Sequence, residues 1–192
     1  MDGFVVWEED VSEADAVVDL AMRLFPEAVP GPTLSDRDGA ALAAGSYAGT
    51  CLVTDEAEGV VDVLRSTKHG WELVTIESGT SVKGAYVSRM AFLAELAGRV
   101  GLDVRCATVV TLDKTFRRDA ELDVFDLFAI HDVSGSVLRH REAVRNALIG
   151  MLDTWKHPHA VSKAYRCRRP DTCEACSELM PDRTVHSIFS LH

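Results

Sequence analysis

Trp71-Glu72-Leu73-Val74-Thr75-Ile76-Glu77 is a short run rich in apolar and β-branched residues. After Ser78-Gly79-Thr80-Ser81 the apolar period changes. Tyr86, Met90, Leu93, Leu96, Ala97 and Val100 recur at helical spacing, with Gly98 and Gly101 at the end. A second apolar run, 104–112, follows at once. The first run predicts a strand, the stripe over 82–100 a helix, and the last run a buried strand. A strand, a covering helix and a second strand make a crossover, which places a helix on one face of a sheet.

The segments on either side extend this pattern. Upstream, 47–54 and 59–65 predict two strands around the turn Asp55-Glu56-Ala57-Glu58-Gly59, and His69-Gly70 turns the chain into 71–77. Before them, 12–25 predicts an amphipathic helix with Ser12 as N-cap and Val17, Val18, Leu20, Ala21 and Leu24 on one face. Pro26, Pro30, Gly31 and Pro32 predict a loop, and Ser35 a short helix over 36–45. Downstream, 125–130 predicts a short strand, and Ser134 or Ser136 starts a long helix to Trp155 whose polar face carries Arg139, Arg141, Glu142 and Arg145. Residues 156–192 are irregular, with Pro158, Pro170 and Pro181. The expected fold is α/β, a mixed central sheet flanked by helices, over 1–155, with a cysteine-rich segment, 156–192, packed on it.

Composition bounds the function. The chain has 192 residues, 47% hydrophobic and 26% charged, close to ordinary globular usage. No apolar run approaches the roughly 20 residues of a membrane span, so no membrane partner is expected. Residues 1–10 carry no basic n-region, so no secretory signal is expected there. Twenty basic against thirty acidic residues give a net charge of −10. That weighs against nonspecific nucleic-acid binding, which rests on phosphate neutralisation. Five cysteines without an export signal point to a reducing cytoplasm rather than to disulfides.

Two carboxylates stand on neighbouring predicted strands. Asp62 lies within Val60-Val61-Asp62-Val63-Leu64, and Glu77 ends Thr75-Ile76-Glu77. Such a pair is suited to Mg²⁺ or Mn²⁺, which prefer oxygen ligands. The alternative is structural, with Asp62 accepting backbone N–H groups and Glu77 solvated at a strand end.

The segment from Gly70 to Lys83 resembles the core motif of the RecB-type PD-(D/E)XK nuclease superfamily. Within it, the likeness is to a bacterial group whose motif runs Leu-Ile-Glu-Val-Lys-Ser-Ser-Thr-x-Val-Lys. Leu24-Phe25-Pro26, Asp62-Val63-Leu64-Arg65, the helix through Ala91-Phe92-Leu93, and Cys167 to Cys173 with the tail Val185-His186-Ser187-Ile188-Phe189-Ser190-Leu191 extend it over most of the chain. The resemblance implies a restriction-endonuclease-like fold and a DNA nuclease centre at Asp62, Glu77 and Lys83, with Mg²⁺ or Mn²⁺ as cofactor. The departures are at the core. The metal-binding Glu and the Lys of the family's Glu-x-Lys are Thr75 and Glu77 here, and its helix Gln is Leu93. A carboxylate in place of the lysine replaces a cationic helper with an anion. The expected function is therefore a degenerate, non-catalytic accessory subunit that binds nucleic acid or, more readily, a protein partner. The alternatives are an active nuclease rearranged around Asp62 and Glu77, and a metal-stapled scaffold.

Cys167, Cys173 and Cys176 bring three thiolates together at metal-ligand spacing. The resemblance implies an iron–sulfur cluster, while a Cys₃His set would favour zinc. Cys51, Cys106, His157, His159 and His186 are candidates for a fourth ligand, and residues 1–50 hold no cysteine. Three basic clusters could meet phosphate: Lys114 with Arg117 and Arg118; Arg139, Arg141 and Arg145; and Lys163, Arg166, Arg168 and Arg169 beside Tyr165.

Overall fold

Along the chain run α1 (Glu13–Ala21), a 3-10 turn (Met22–Leu24), β1 (Val29–Pro30), β2 (Thr33–Ser35), a second 3-10 turn (Asp38–Ala41), β3 (Ser46–Val53), β4 (Glu58–Thr67), β5 (Gly70–Glu77), α2 (Gly84–Arg99), β6 (Val104–Leu112), α3 (Val124–Leu127), β7 (Phe128–Asp132) and α4 (Ser134–Lys156). These elements belong to a computed structural model that describes residues 13–117 and 123–156. The chain divides into two compact units, Met1–Ile149 and Gly150–His192. The described part of the second is the end of α4, and everything below concerns the first.

The strands form a mixed sheet in the order β1-β3-β4-β5-β6-β7, with β2 also paired to β3. β3, β4 and β5 are an antiparallel meander, β5 and β6 are parallel across the α2 crossover, and β7 returns antiparallel to β6. β5 lies inside the sheet and is covered on both faces, so five consecutive residues, Glu72 to Ile76, are buried. That is why its sequence reads as a continuous rather than an alternating run.

Helices cover both faces. α2 turns Val87, Met90, Ala91, Leu93, Ala94, Leu96 and Ala97 onto Leu52, Leu64, Leu73, Ala107 and Val109. On the other face, Ala21 and Phe25 pack with Val63, Val74, Ile76, Val110 and Phe128. Burying Met90, Leu93 and Leu96 contributes about 1.5–3 kcal/mol each, well above the roughly 1 kcal/mol that Gly98 costs the helix. Leu93 is core, 2% exposed. α2 ends in a Schellman motif. Leu102 N–H donates to Ala97 O at 2.8 Å and Gly101 N–H to Gly98 O at 3.3 Å, with Gly101 at φ +96°.

Three expectations are corrected. Within 36–45 only a 3-10 turn, Asp38–Ala41, forms: Asp36 is left-handed (φ 42°), and Gly39 N–H bonds across to Val100 O at 2.9 Å rather than up a helix. The predicted strand at 125–130 is displaced to β7. Asp123 caps a helical turn by accepting from Phe125 N–H at 2.9 Å, which holds 124–127 out of the sheet. The proline-rich stretch after Phe25 supplies β1 and β2, which pair parallel with β3. Among the described residues, no helix is long and apolar enough to cross a membrane.

Candidate functional site

The β4–β5 ladder runs from Thr67↔Gly70 to Val63↔Val74 and stops there. Beyond that point β4 pairs with β3, and β5 pairs with β6. The sheet forks, and Asp62 stands in the fork. Its Oδ2 accepts Ile76 N–H at 2.8 Å, the position where the ladder would have continued. The same oxygen accepts the Thr75 hydroxyl, also at 2.8 Å. Thr75 is fully buried, and the Asp62 side chain keeps 19% of its exposure.

Glu77 closes the fork from the end of β5. Arg89, on the first turns of α2, reaches both acids. Its Nη1 donates to Glu77 Oε1 at 3.2 Å, and its Nη2 lies 4.0 Å from Asp62 Oδ1. Burial pushes the Glu77 carboxyl up; Arg89 pulls it down, and Asp62 pushes it further up, so the net direction is upward. One guanidinium thus serves two carboxylates.

A divalent cation of the kind the resemblance implies would need open carboxylate lone pairs on several residues. Asp62 Oδ2 already accepts two hydrogen bonds, Thr75 offers a hydroxyl turned toward Asp62, and Glu77 is ion-paired. The position between the acids is served by Arg89. Among the described residues, no group of three or more His, Cys, Asp or Glu converges to hold a metal.

Asp62 is bonded to Thr75 and linked to Glu77 through Arg89, and Lys83 precedes α2. It is the N-cap residue of α2, with its Nζ 5.7 Å from the centre of the Tyr86 ring. Arg89 is the functional residue that sequence reading did not single out. On the α1 side, Asp62 also floors a cleft of about 430 Å³ walled by Val18, Met22, Ala28, Pro30, Ala48 and Gly49.

Two other buried carboxylates belong to the scaffold. Glu72 takes Arg65 Nε at 3.0 Å and Nη2 at 2.6 Å, and its Oε1 accepts the Thr108 hydroxyl at 2.7 Å. Glu95, on α2, accepts Arg145 Nε and Nη2, each at 3.0 Å, and also pairs with Arg141 at 3.4 Å and Arg99 at 3.6 Å. Two members of the expected basic face of α4 are thus committed to an internal carboxylate. Arg139 donates to Ser136 Oγ at 3.0 Å. Cys51 and Cys106 are free thiols on β3 and β6. Cys167, Cys173 and Cys176, the three flanking histidines and the basic cluster at 163–169 lie outside the described residues, as does Arg118.

No family model, curated protein or solved structure matches the chain.

Proposed function

We propose that this chain is a non-catalytic domain of the RecB-type nuclease kind that acts as an accessory binding subunit. One observation carries the reading: a single arginine, Arg89, reaches both Asp62 and Glu77 where a metal-dependent nuclease needs a divalent cation. Metal-assisted phosphodiester cleavage needs a site that generates hydroxide and stabilises the leaving oxygen. Thr75 cannot supply the missing carboxylate, and Glu77 cannot supply the lysine.

The placement of the motif supports the resemblance. Asp62 and Thr75-x-Glu77 sit on adjacent strands at a fork, followed by a crossover helix and a parallel strand. A protein partner is favoured over nucleic acid, because the chain is acidic overall and Arg141 and Arg145 are held by Glu95. In this reading Cys167, Cys173 and Cys176 form a zinc or iron–sulfur staple rather than a reaction centre, which metal analysis of anaerobically purified protein tests.

The deciding experiment is cleavage of single- and double-stranded DNA with Mg²⁺ and then Mn²⁺, with Asp62→Asn beside the wild type. The expected result is no cleavage by either. Cleavage by the wild type that Asp62→Asn abolishes would establish the competing reading, a nuclease rearranged around Asp62 and Glu77. Restoring the motif with Thr75→Glu and Glu77→Lys is expected to produce metal-dependent cleavage. A folded, inactive double variant would count against placing the motif on β5.

A further inference from the structure

We infer that β7 is a docking edge for an extended peptide of a partner protein, one that sets an apolar residue against Ile130 and a basic residue against Asp132. The inference deepens the accessory reading, on which it rests, by naming the surface and the chemistry of the partner.

The backbone comes first. β7 is the last strand of the sheet and pairs on one side with β6. Asp113 N–H donates to Leu127 O at 2.8 Å, and Val133 N–H to Ala107 O at 2.9 Å. By the alternation of an antiparallel ladder, Ala129 and His131 then bond inward to β6, while Phe128, Ile130 and Asp132 turn their N–H and C=O groups outward. Among the described residues, no backbone group bonds to them from outside. The opposite edge is built differently. There Gly31 and Pro32 divide the chain into β1 and β2, strands of two and three residues, and Pro30 has no N–H to offer. Short strands and prolines keep an edge from pairing with another chain. β7 carries no proline or lysine, and its register with β6 runs without a bulge.

The side chains of the same three residues come second. Strand alternation puts Phe128, Ile130 and Asp132 on one face. Phe128 is buried with Val74, Ile76 and Val110, whereas Ile130, next along that face, is 64% exposed. Asp132 is exposed too. Its Oδ1 caps α4, accepting the Ser134 N–H at 2.9 Å and the Ser134 hydroxyl at 2.6 Å. These bonds hold the carboxyl below the ordinary aspartate range, so it is charged at neutral pH. Oδ2 takes no hydrogen bond among the described residues, and no basic side chain there pairs with this acid. An added strand draws affinity from backbone bonds and specificity from its alternate side chains. Along β7 those side chains meet an exposed isoleucine and then an unpaired carboxylate, which selects an apolar residue followed two positions away by a basic one. A second copy of this chain would bring its own acids to the edge, against a net charge of −10.

The test is a titration of the full-length protein with three end-capped heptapeptides, followed by amide chemical shifts in NMR. The first, Thr-Arg-Thr-Val-Thr-Val-Thr, sets its arginine and both valines on one face. The second has Glu in place of Arg, and the third has Pro in place of the middle Val, which removes an N–H aimed at β7. The expected result is saturable shifts centred on Phe128, Ile130 and Asp132 with the first peptide, binding about tenfold weaker with the second, and none with the third. Asp132→Asn keeps an acceptor for the α4 cap and is expected to bind the first two peptides about equally. Ile130→Pro removes an outward N–H and leaves the bonds to β6, so it is expected to lose the first peptide. If Ile130→Pro fails to fold, the peptide series and Asp132→Asn still decide. Equal binding of all three peptides, or shifts centred away from β7, would overturn the inference. Sedimentation showing a dimer of the protein alone that Ile130→Pro dissociates would overturn it in favour of a second copy. DNA and Mg²⁺ added to the same sample separate the two levels. Cleavage would overturn the accessory reading itself, whereas no cleavage and no peptide shifts would overturn the docking edge alone.

Discussion

Two of the places where the described residues bury carboxylates against arginine have opposite balances of charge. Around Glu95 one carboxylate meets Arg99, Arg141 and Arg145; at the fork two carboxylates meet Arg89 alone. The carboxyl responses differ in sign. Hydrogen bonds from Arg145 hold Glu95 below the ordinary glutamate range, against the opposing effect of its burial. At Glu77, burial wins and the carboxyl is raised. Glu95 ties α2 to α4 with both its oxygens engaged, while Arg99 is shared with Glu56. At the fork two carboxylates share one guanidinium, and burial sets the direction in which Glu77 shifts.

The largest effect is expected at the surplus. Glu95→Ala would leave three arginines facing one another without their shared acceptor, at a side chain that is 7% exposed. Removing one partner of a buried network costs about 3–5 kcal/mol. Because Arg145 is half exposed, solvent screens part of this, and we expect about 2–3 kcal/mol. Chemical denaturation measures it. The stabilisation has a definite pH sense. With the folded value lowered, it is present above the ordinary glutamate value and is lost as pH falls through the folded one. A neutral effect of Glu95→Ala would mean that the α2–α4 contact is held by Val137 and its apolar neighbours, and the contrast between the two regions would lose one side.

The fork is expected to yield a smaller loss. Asp62→Ala strands the Ile76 N–H and the Thr75 hydroxyl, both in the buried part of β5. A buried donor left without an acceptor costs about 1–3 kcal/mol. Asp62→Asn keeps a carbonyl oxygen and should recover most of it. Hydrogen exchange at the Ile76 amide reports the same bond directly, rising in Asp62→Ala and staying near wild type in Asp62→Asn. Equal protection in both variants would show that Ile76 finds another acceptor and that Asp62 is not part of the fork's structure.

Much of this arrangement could be read from the sequence, for physical reasons that differ by region. β3 to β6 and α2 lie within two residues of their expected bounds because each is a periodic or continuous apolar run facing a core. The 36–45 segment misled because its alanines favour helix, while the bond from Gly39 N–H to Val100 O is a contact across more than sixty residues. Val124–Leu127 was concealed by Phe125 and Leu127, which read as strand until the Asp123 cap is seen. Asp62 and Glu77 stand out as charges within apolar runs, and Glu72 and Glu95 carry the same signal. Arg89 gave no signal. It sits beside the stripe residue Met90, and only the fork's geometry brings it to acids 12 and 27 positions away.

The smallest effect tests the deficit most directly. The raised Glu77 carboxyl means that the folded protein holds its proton more tightly than the unfolded chain. Stability linked to that proton is fully present below the ordinary value of about 4.5, and it is lost as pH rises through the raised folded value. Glu77→Gln removes the charge at every pH. Its melting temperature should match the wild type near pH 4 and exceed it slightly near pH 7.5, by less than about 1 kcal/mol in stability. Arg89→Ala should push the other way: without the guanidinium, the carboxyl rises further and the loss of stability toward neutral pH grows. Paired melts across that range, with carboxyl ¹³C titration of Glu77, give both curves. A wild type more stable than Glu77→Gln at neutral pH would mean that the Arg89 pair outweighs burial. The fork would then be a balanced ion pair like Glu72 with Arg65, and its contrast with Glu95 would disappear.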